Sequence, residues 1–154
     1  MSHRNVIQQA FDAFGKSAAL EKRSGNWYGL TREIISVSNL QKSQYGLRYY
    51  FNQGLWIRCL DEKAQYPKPS ECHIQARLGA LFPEHEKYID SLLDLECRMD
   101  DGSRSLNFSI LLTQKLLPIL RACDSVDSLR AMYANGLFKR AGIRGPAQQL
   151  LKPA

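Results

Sequence analysis

The sequence predicts an α+β fold: a central antiparallel sheet of four to five strands, with an N-terminal helix and C-terminal helices packed on it. Three observations lead there. From Ile34 to Leu60 two runs rich in β-branched and aromatic residues flank a polar turn near Ser43–Gly46, as two paired antiparallel strands require. Asn5 to Phe14 sets apolar residues at helical spacing, and the last third of the chain returns to that spacing. A length of 154 residues suits one domain, 1–154, with a real hydrophobic core.

The first helix places Val6 or Ile7, Ala10, Phe11 and Phe14 on one stripe, with Asn5 as its cap and Gly15 as its stop. Ala18–Arg23 and Asn26–Leu30 form a short hairpin around Ser24 and Gly25, with Trp27 and Tyr28 packing as sheet aromatics. In the long hairpin, Leu47, Tyr49, Phe51, Gln53, Leu55, Ile57 and Cys59 fall on one face. Arg48, Tyr50, Asn52, Gly54, Trp56 and Arg58 fall on the other, because strand side chains alternate. Gly54 in mid-strand marks a bulge or a close approach.

Asp61 to Glu71, with Pro67 and Pro69, reads as a loop over one end of the sheet. Cys72–Leu78 reads as a further strand, with Cys72, Ile74 and Ala76 facing away from His73, Gln75 and Arg77. Pro83 opens a short helix, and Leu92–Met99 suits either a helix or an edge strand. From Arg104 to Ala122, Leu106, Ile110, Thr113, Leu117 and Leu120 keep helical spacing, widened by Phe108, Leu112, Leu116 and Ile119. Pro118 should kink or end the regular part. Asp124 and Ser125 cap another helix that stops at Asn135–Gly136, and Pro146–Leu151 forms a last one.

Charge is unevenly placed. Residues 1–60 hold eight cations against three anions, residues 61–97 four against eight, and residues 98–154 nine against four. The basic residues are dispersed singly, which favours a solvated surface over a dedicated nucleic-acid face. No apolar run approaches the roughly 20 residues of a membrane span. The N-terminus lacks the apolar core of a secretion signal, so a cytoplasmic location without membrane association is expected. Cys59, Cys72, Cys97 and Cys123 are scattered without a Cys-x-x-Cys pair, as reduced thiols in a cytosolic domain would be.

The usual chemical signatures are weak. Cys72 and His73 are neighbours in a strand and face opposite ways, so they do not form a dyad. Cys97 and Ser43 have no local motif joining either to a histidine. Glu84, His85, Glu86 and Asp90 offer ligand types without the spacing that sets two imidazoles on one helical face. Gly142-Ile143-Arg144-Gly145 is not a phosphate loop. Neither a metal nor a cofactor is expected, and no catalytic set emerges.

Two surfaces remain as binding candidates. One is the second strand face, Arg48, Tyr50, Asn52, Trp56 and Arg58, which offers hot-spot residue types to a partner protein or stacking rings to RNA. The alternative is that C-terminal helices cover this face and bury Tyr50 and Trp56. The other is the hairpin turn, Gln41, Lys42 and Ser43, which either bonds to itself or presents a cation and two neutral donors to a partner.

Gly25-Asn26-Trp27-Tyr28, Asn39-Leu40-Gln41-Lys42-Ser43 and Tyr49-Tyr50-Phe51-Asn52-Gln53-Gly54 resemble a bacterial family catalogued as domain of unknown function 4304. Cys72-His73 with Arg77, and the helical tail with its proline, look like later parts of the same pattern. The resemblance implies a small α+β fold in a bacterial protein and supplies no activity or catalytic set. The leading expectation is therefore a non-enzymatic protein-binding module, an immunity- or antitoxin-like role being one version. A nucleic-acid-binding protein with a basic, aromatic sheet face comes second, and an enzyme of unrecognised type third.

Overall fold

The structure is a computed structural model that describes residues 4–153. Asn5 caps helix α1 (Val6–Ser17): its side chain accepts the backbone N–H of Gln8, and the Gln8 side chain returns a bond to the Asn5 backbone. The buried stripe is Ile7, Ala10, Phe11 and Phe14, as its spacing requires. Gly15 does not stop this helix. It lets the Trp27 indole lie against the helix backbone; a Cβ there would fall 2.1 Å from Trp27 Cδ2.

Among the described residues six strands follow in a single sheet, one or two more than expected. They are β1 (Glu21–Arg23), β2 (Asn26–Leu30), β3 (Ile34–Lys42), β4 (Tyr49–Ile57), β5 (Ile74–Arg77) and β6 (Gly142–Ile143). Spatial order equals chain order, and every neighbouring pair is antiparallel. The extra strand is β6, two residues long, which pairs Ile143 with Ile74 and Gly142 with Gln75. So short a segment leaves no alternation to read.

The long hairpin pairs Ile34 with Ile57 and Lys42 with Tyr49, so residues 43–48 form the connection. Tyr49, Phe51, Leu55 and Ile57 enter the principal core with Ile34 and Ile74. Leu47 and Cys59, expected on that face, are exposed because they lie beyond the paired strand. Gly54 shows no bulge: pairing runs through it to Val37, and its missing side chain admits Cys72, whose Sγ would stand 2.6 Å from a Cβ.

Among the described residues seven α-helices supply the other wall of the core. After α1 come α2 (Leu78–Leu81), α3 (Glu86–Leu92), α4 (Asp101–Leu111), α5 (Leu117–Ala122), α6 (Val126–Ala134) and α7 (Gly145–Leu151). Residues 93–100 form neither a helix nor a full strand; Leu93 and Leu95 each exchange a backbone bond with the start of β4. Arg104, on α4, is buried and donates to the carbonyls of Ser91, Leu92 and Cys97 at 2.7–2.8 Å, which closes the end of α3. Ser125 caps α6, and Gly136 at φ +85° ends it.

The stripe expected on the long helix is split. Leu106 and Ile110 are exposed, as is Thr113, whereas Phe108, Leu112, Leu116, Leu117 and Leu120 are buried. The cause is a π-helical turn, Leu112–Leu116, between α4 and α5. In a uniform α-helix Phe108 and Leu120 would stand about 120° apart; one residue absorbed by the π turn brings them to within about 20°. Pro118 then falls in the first turn of α5, where its missing donor costs little.

The second sheet face is not covered by C-terminal helices. Residues 58–73, with a 3₁₀ turn at Pro69–Glu71, fold over its lower half. Trp56 is 8% exposed, donates Nε1 to the Asp61 carbonyl at 2.9 Å and packs 4.4 Å from the His73 ring. With Tyr28, Ile35, Val37 and Cys72 it forms a second, smaller core. Cys72 therefore faces away from Ile74, because regular pairing starts two residues after it. Among the described residues no helix is long and apolar enough to cross a membrane.

Candidate binding cleft on the second sheet face

Segment 58–73 stops short of the hairpin turn, and the upper half of the same face stays open as a cleft of about 700 Å³. Its floor is a cross-strand rung. Arg23 pairs with Asn26 between β1 and β2, Asn39 with Asn52 between β3 and β4, and Asn52 with Arg77 between β4 and β5. Asn39 joins the two halves by donating Nδ2 to Asn26 Oδ1 at 2.8 Å. Asn52 Nδ2 in turn donates to Asn39 Oδ1 at 3.0 Å and to Gln41 Oε1 at 2.9 Å. Three side-chain amides thus satisfy one another across three strands, the condition for placing polar groups in a half-buried floor.

The walls are cationic and aromatic. Arg23, Lys68 and Arg77 line the cleft, with Tyr28, Tyr66, Gln75 and Ser70, and among the described residues no carboxylate does. Arg23 is committed internally: it bonds Glu21 at 2.8 Å and lies 5.0 Å over the Tyr66 ring. The Tyr66 hydroxyl donates to Glu21, and this bond, with that from Arg23, holds the Glu21 carboxyl below the ordinary carboxylate range. Tyr28 meets Tyr66 edge-on at 5.2 Å and donates its hydroxyl to the Pro67 carbonyl. On the opposite rim the Arg77 guanidinium lies 3.9 Å over the Tyr50 ring.

Of the residues expected to bind, Gln41 and Asn52 line this cleft, and Tyr50 flanks it beneath Arg77. Lys42 is exposed on the hairpin beside it. Ser43 is buried in its own turn, accepting the Tyr45 N–H at 3.1 Å, so it offers nothing outward. Arg48 belongs to a neighbouring cleft with Arg77, Glu86, Asp90, Asp94 and Arg140. Trp56 is sealed under segment 58–73, and Arg58 lies past the far end of β4. The structure adds Asn26, Asn39, Gln75 and Arg77 to the surface. Asn26 and Asn39 stand in motifs already visible in the sequence, but only strand register shows that they meet Asn52.

Groups with catalytic chemistry are engaged elsewhere. His73 Nδ1 accepts the Ile57 N–H at 2.9 Å, and burial, then Arg144, push its pKa below the ordinary histidine value. Burial pushes the Cys72 and Cys123 thiols up to about 12, where thiolate is absent at neutral pH. His85 sits half-exposed with Glu84 3.8 Å away. Among the described residues, no group of three or more His, Cys, Asp or Glu side chains is placed to hold a metal ion.

The fold is thus an antiparallel α+β domain whose distinctive surface is an amide-floored cleft. The chain belongs to the family described as domain of unknown function (DUF4304), whose model matches residues 20–122. That span runs from just before β1 to the end of α5 and contains the whole rung. No curated protein and no solved structure matches the chain.

Proposed function

We propose that the protein is a non-enzymatic module that recognises another protein through the open half of the second sheet face. The observation that carries this reading is the rung Asn26–Asn39–Asn52, ending at Arg77: a preformed row of amides held in place by its own bonds. Such a floor is organised before a ligand arrives, which lowers the ordering cost of binding. Among the described residues no histidine, cysteine or carboxylate lines it to activate the hydroxyls of Ser24 and Ser70. An immunity- or antitoxin-like role in a bacterial cytoplasm is the form we put forward, by analogy with small domains that work by masking a partner.

The test is co-purification from the native host with quantitative mass spectrometry. A specific partner should be retained by the wild type and lost with Arg77→Glu or Asn52→Ala in a protein of unchanged fold. Equal recovery with both variants refutes the cleft as the recognition surface.

Nucleic-acid binding stands second, favoured by the cationic lining of the cleft. It ranks lower because Arg32 and Arg58 lie at one end of the long hairpin and Lys42 and Arg48 at the other. An oligonucleotide complex whose affinity falls steeply with salt would reverse the order.

A further inference from the structure

We infer that the cleft accepts an extended stretch of a partner protein that carries a carboxylate, with the carboxylate on the Arg77 guanidinium and the main chain on Gln41 and Asn52. This rests on the protein-binding reading above and specifies its ligand.

The aromatic rings decide against stacked ligands. A nucleobase or a sugar needs a free ring face. Here one face of Tyr50 is taken by Arg77 and one of Tyr66 by Arg23, and Tyr28 is buried. What remains open at the surface is hydrogen-bonding capacity. Among the described residues Gln41 Nε2 and Asn52 Oδ1 make no protein hydrogen bond, so one donor and one acceptor are left side by side. A peptide group presents the complementary acceptor and donor along an extended chain.

Charge selects the rest. No carboxylate lines the cleft, and Arg77 forms no ion pair among the described residues. Arg77 also lines the neighbouring cleft with Glu86, Asp90 and Asp94, of which Glu86 already pairs with Arg140 at 2.6 Å, and Glu21 beside the cleft is held by Arg23 and Tyr66. Tyr50 holds the guanidinium against its ring, and among the described residues the N–H edge makes no protein hydrogen bond. That edge matches a carboxylate with two parallel bonds, which a lysine in its place would not.

The test uses a positional-scanning heptapeptide library, read by fluorescence polarisation on the whole protein. Pools fixed as Asp or Glu at one position should bind roughly tenfold or more tightly than the matching Asn or Gln pools. Arg77→Gln and Arg77→Lys should both erase that preference at an unchanged thermal midpoint. Gln41→Ala and Asn52→Ala should weaken every pool while the acidic preference stays. The inference is overturned if no pool binds, if acidic pools show no advantage, or if the advantage survives Arg77→Gln. It is also overturned if phosphoserine pools, or an oligothymidylate competitor, bind more tightly than the acidic pools. Pools that bind in the cleft without acidic preference sink the carboxylate and leave the protein-binding module standing; the co-purification above judges the module by itself.

Discussion

The imidazole of His73 replaces a strand partner for Ile57: its Nδ1 accepts the Ile57 backbone N–H at 2.9 Å where the sheet ladder has ended. Protonation of that nitrogen would break the bond. The folded-state pKa lies below the ordinary value of about 6.5, so the unfolded chain binds the proton more readily. The stability His73 contributes is therefore complete above about pH 6.5 and is lost as pH falls below that value and through the lower folded one. Urea midpoints measured from about pH 8 to about pH 5 should decline for the wild type. His73→Asn, which offers an amide oxygen near the position of Nδ1, should be flatter over that window. His73→Ala orphans the Ile57 N–H and should cost about 1–3 kcal/mol at pH 7.

Gly15→Ala sets two effects against each other. Alanine improves helix propensity by about 1 kcal/mol. The new methyl, however, overlaps the Trp27 ring, and relief requires rotating an indole whose Nε1 donates to buried Asp12 at 3.0 Å. The steric effect should win, with a net loss of about 1–3 kcal/mol in denaturant titration and a shifted tryptophan emission.

Arg104 should be the most sensitive buried polar position. Its guanidinium serves three carbonyls, of which, among the described residues, Ser91 alone also accepts weaker backbone bonds at the end of α3. Arg104→Met should cost about 3 kcal/mol or more. Arg104→Lys should not restore it, because one ammonium does not reach all three acceptors in the geometry of the fork. Differential scanning calorimetry of the pair checks both statements.

The amide rung makes a contrasting pair. Asn39→Ala removes the donor to buried Asn26 Oδ1 and the acceptor for Asn52, and should cost about 1–2 kcal/mol. Arg77→Ala, at an exposed strand end, should change stability by less than about 0.5 kcal/mol. Comparable losses in both would show that Arg77 is a structural element of the rung.

Much of the architecture was legible because local chemistry and global packing agree. Asn5, Ser125 and Gly136 sit where a cap or stop is needed, and the alternation of Tyr49, Phe51, Leu55 and Ile57 names the core face correctly. The site was legible only in part. Gln41 and Asn52 stood out, yet a turn at Ser43–Gly46 pairs Asn39 with Tyr50, whereas the longer six-residue connection pairs it with Asn52. Asn26 and Arg77 come from other strands whose register no local pattern records. Trp56 is buried by a proline-containing segment that has no periodicity to betray what it covers. Leu106 and Ile110 mislead because a constant helical period assumes uniform winding, which the π turn breaks.

That underwound turn, with its one extra residue, has a consequence beyond the helix that holds it. Excising a single surface residue there, such as Gln114, would restore even winding and leave everything downstream in place, whereas even winding with every residue kept would swing it by about 100°. After such a swing the later part of the chain, with α6 and the two residues of β6, would no longer arrive beside Ile74. The outermost border of the sheet thus depends on how one spare residue some thirty positions upstream is wound in, and loss of that residue disturbs the border less than a return to even winding around it.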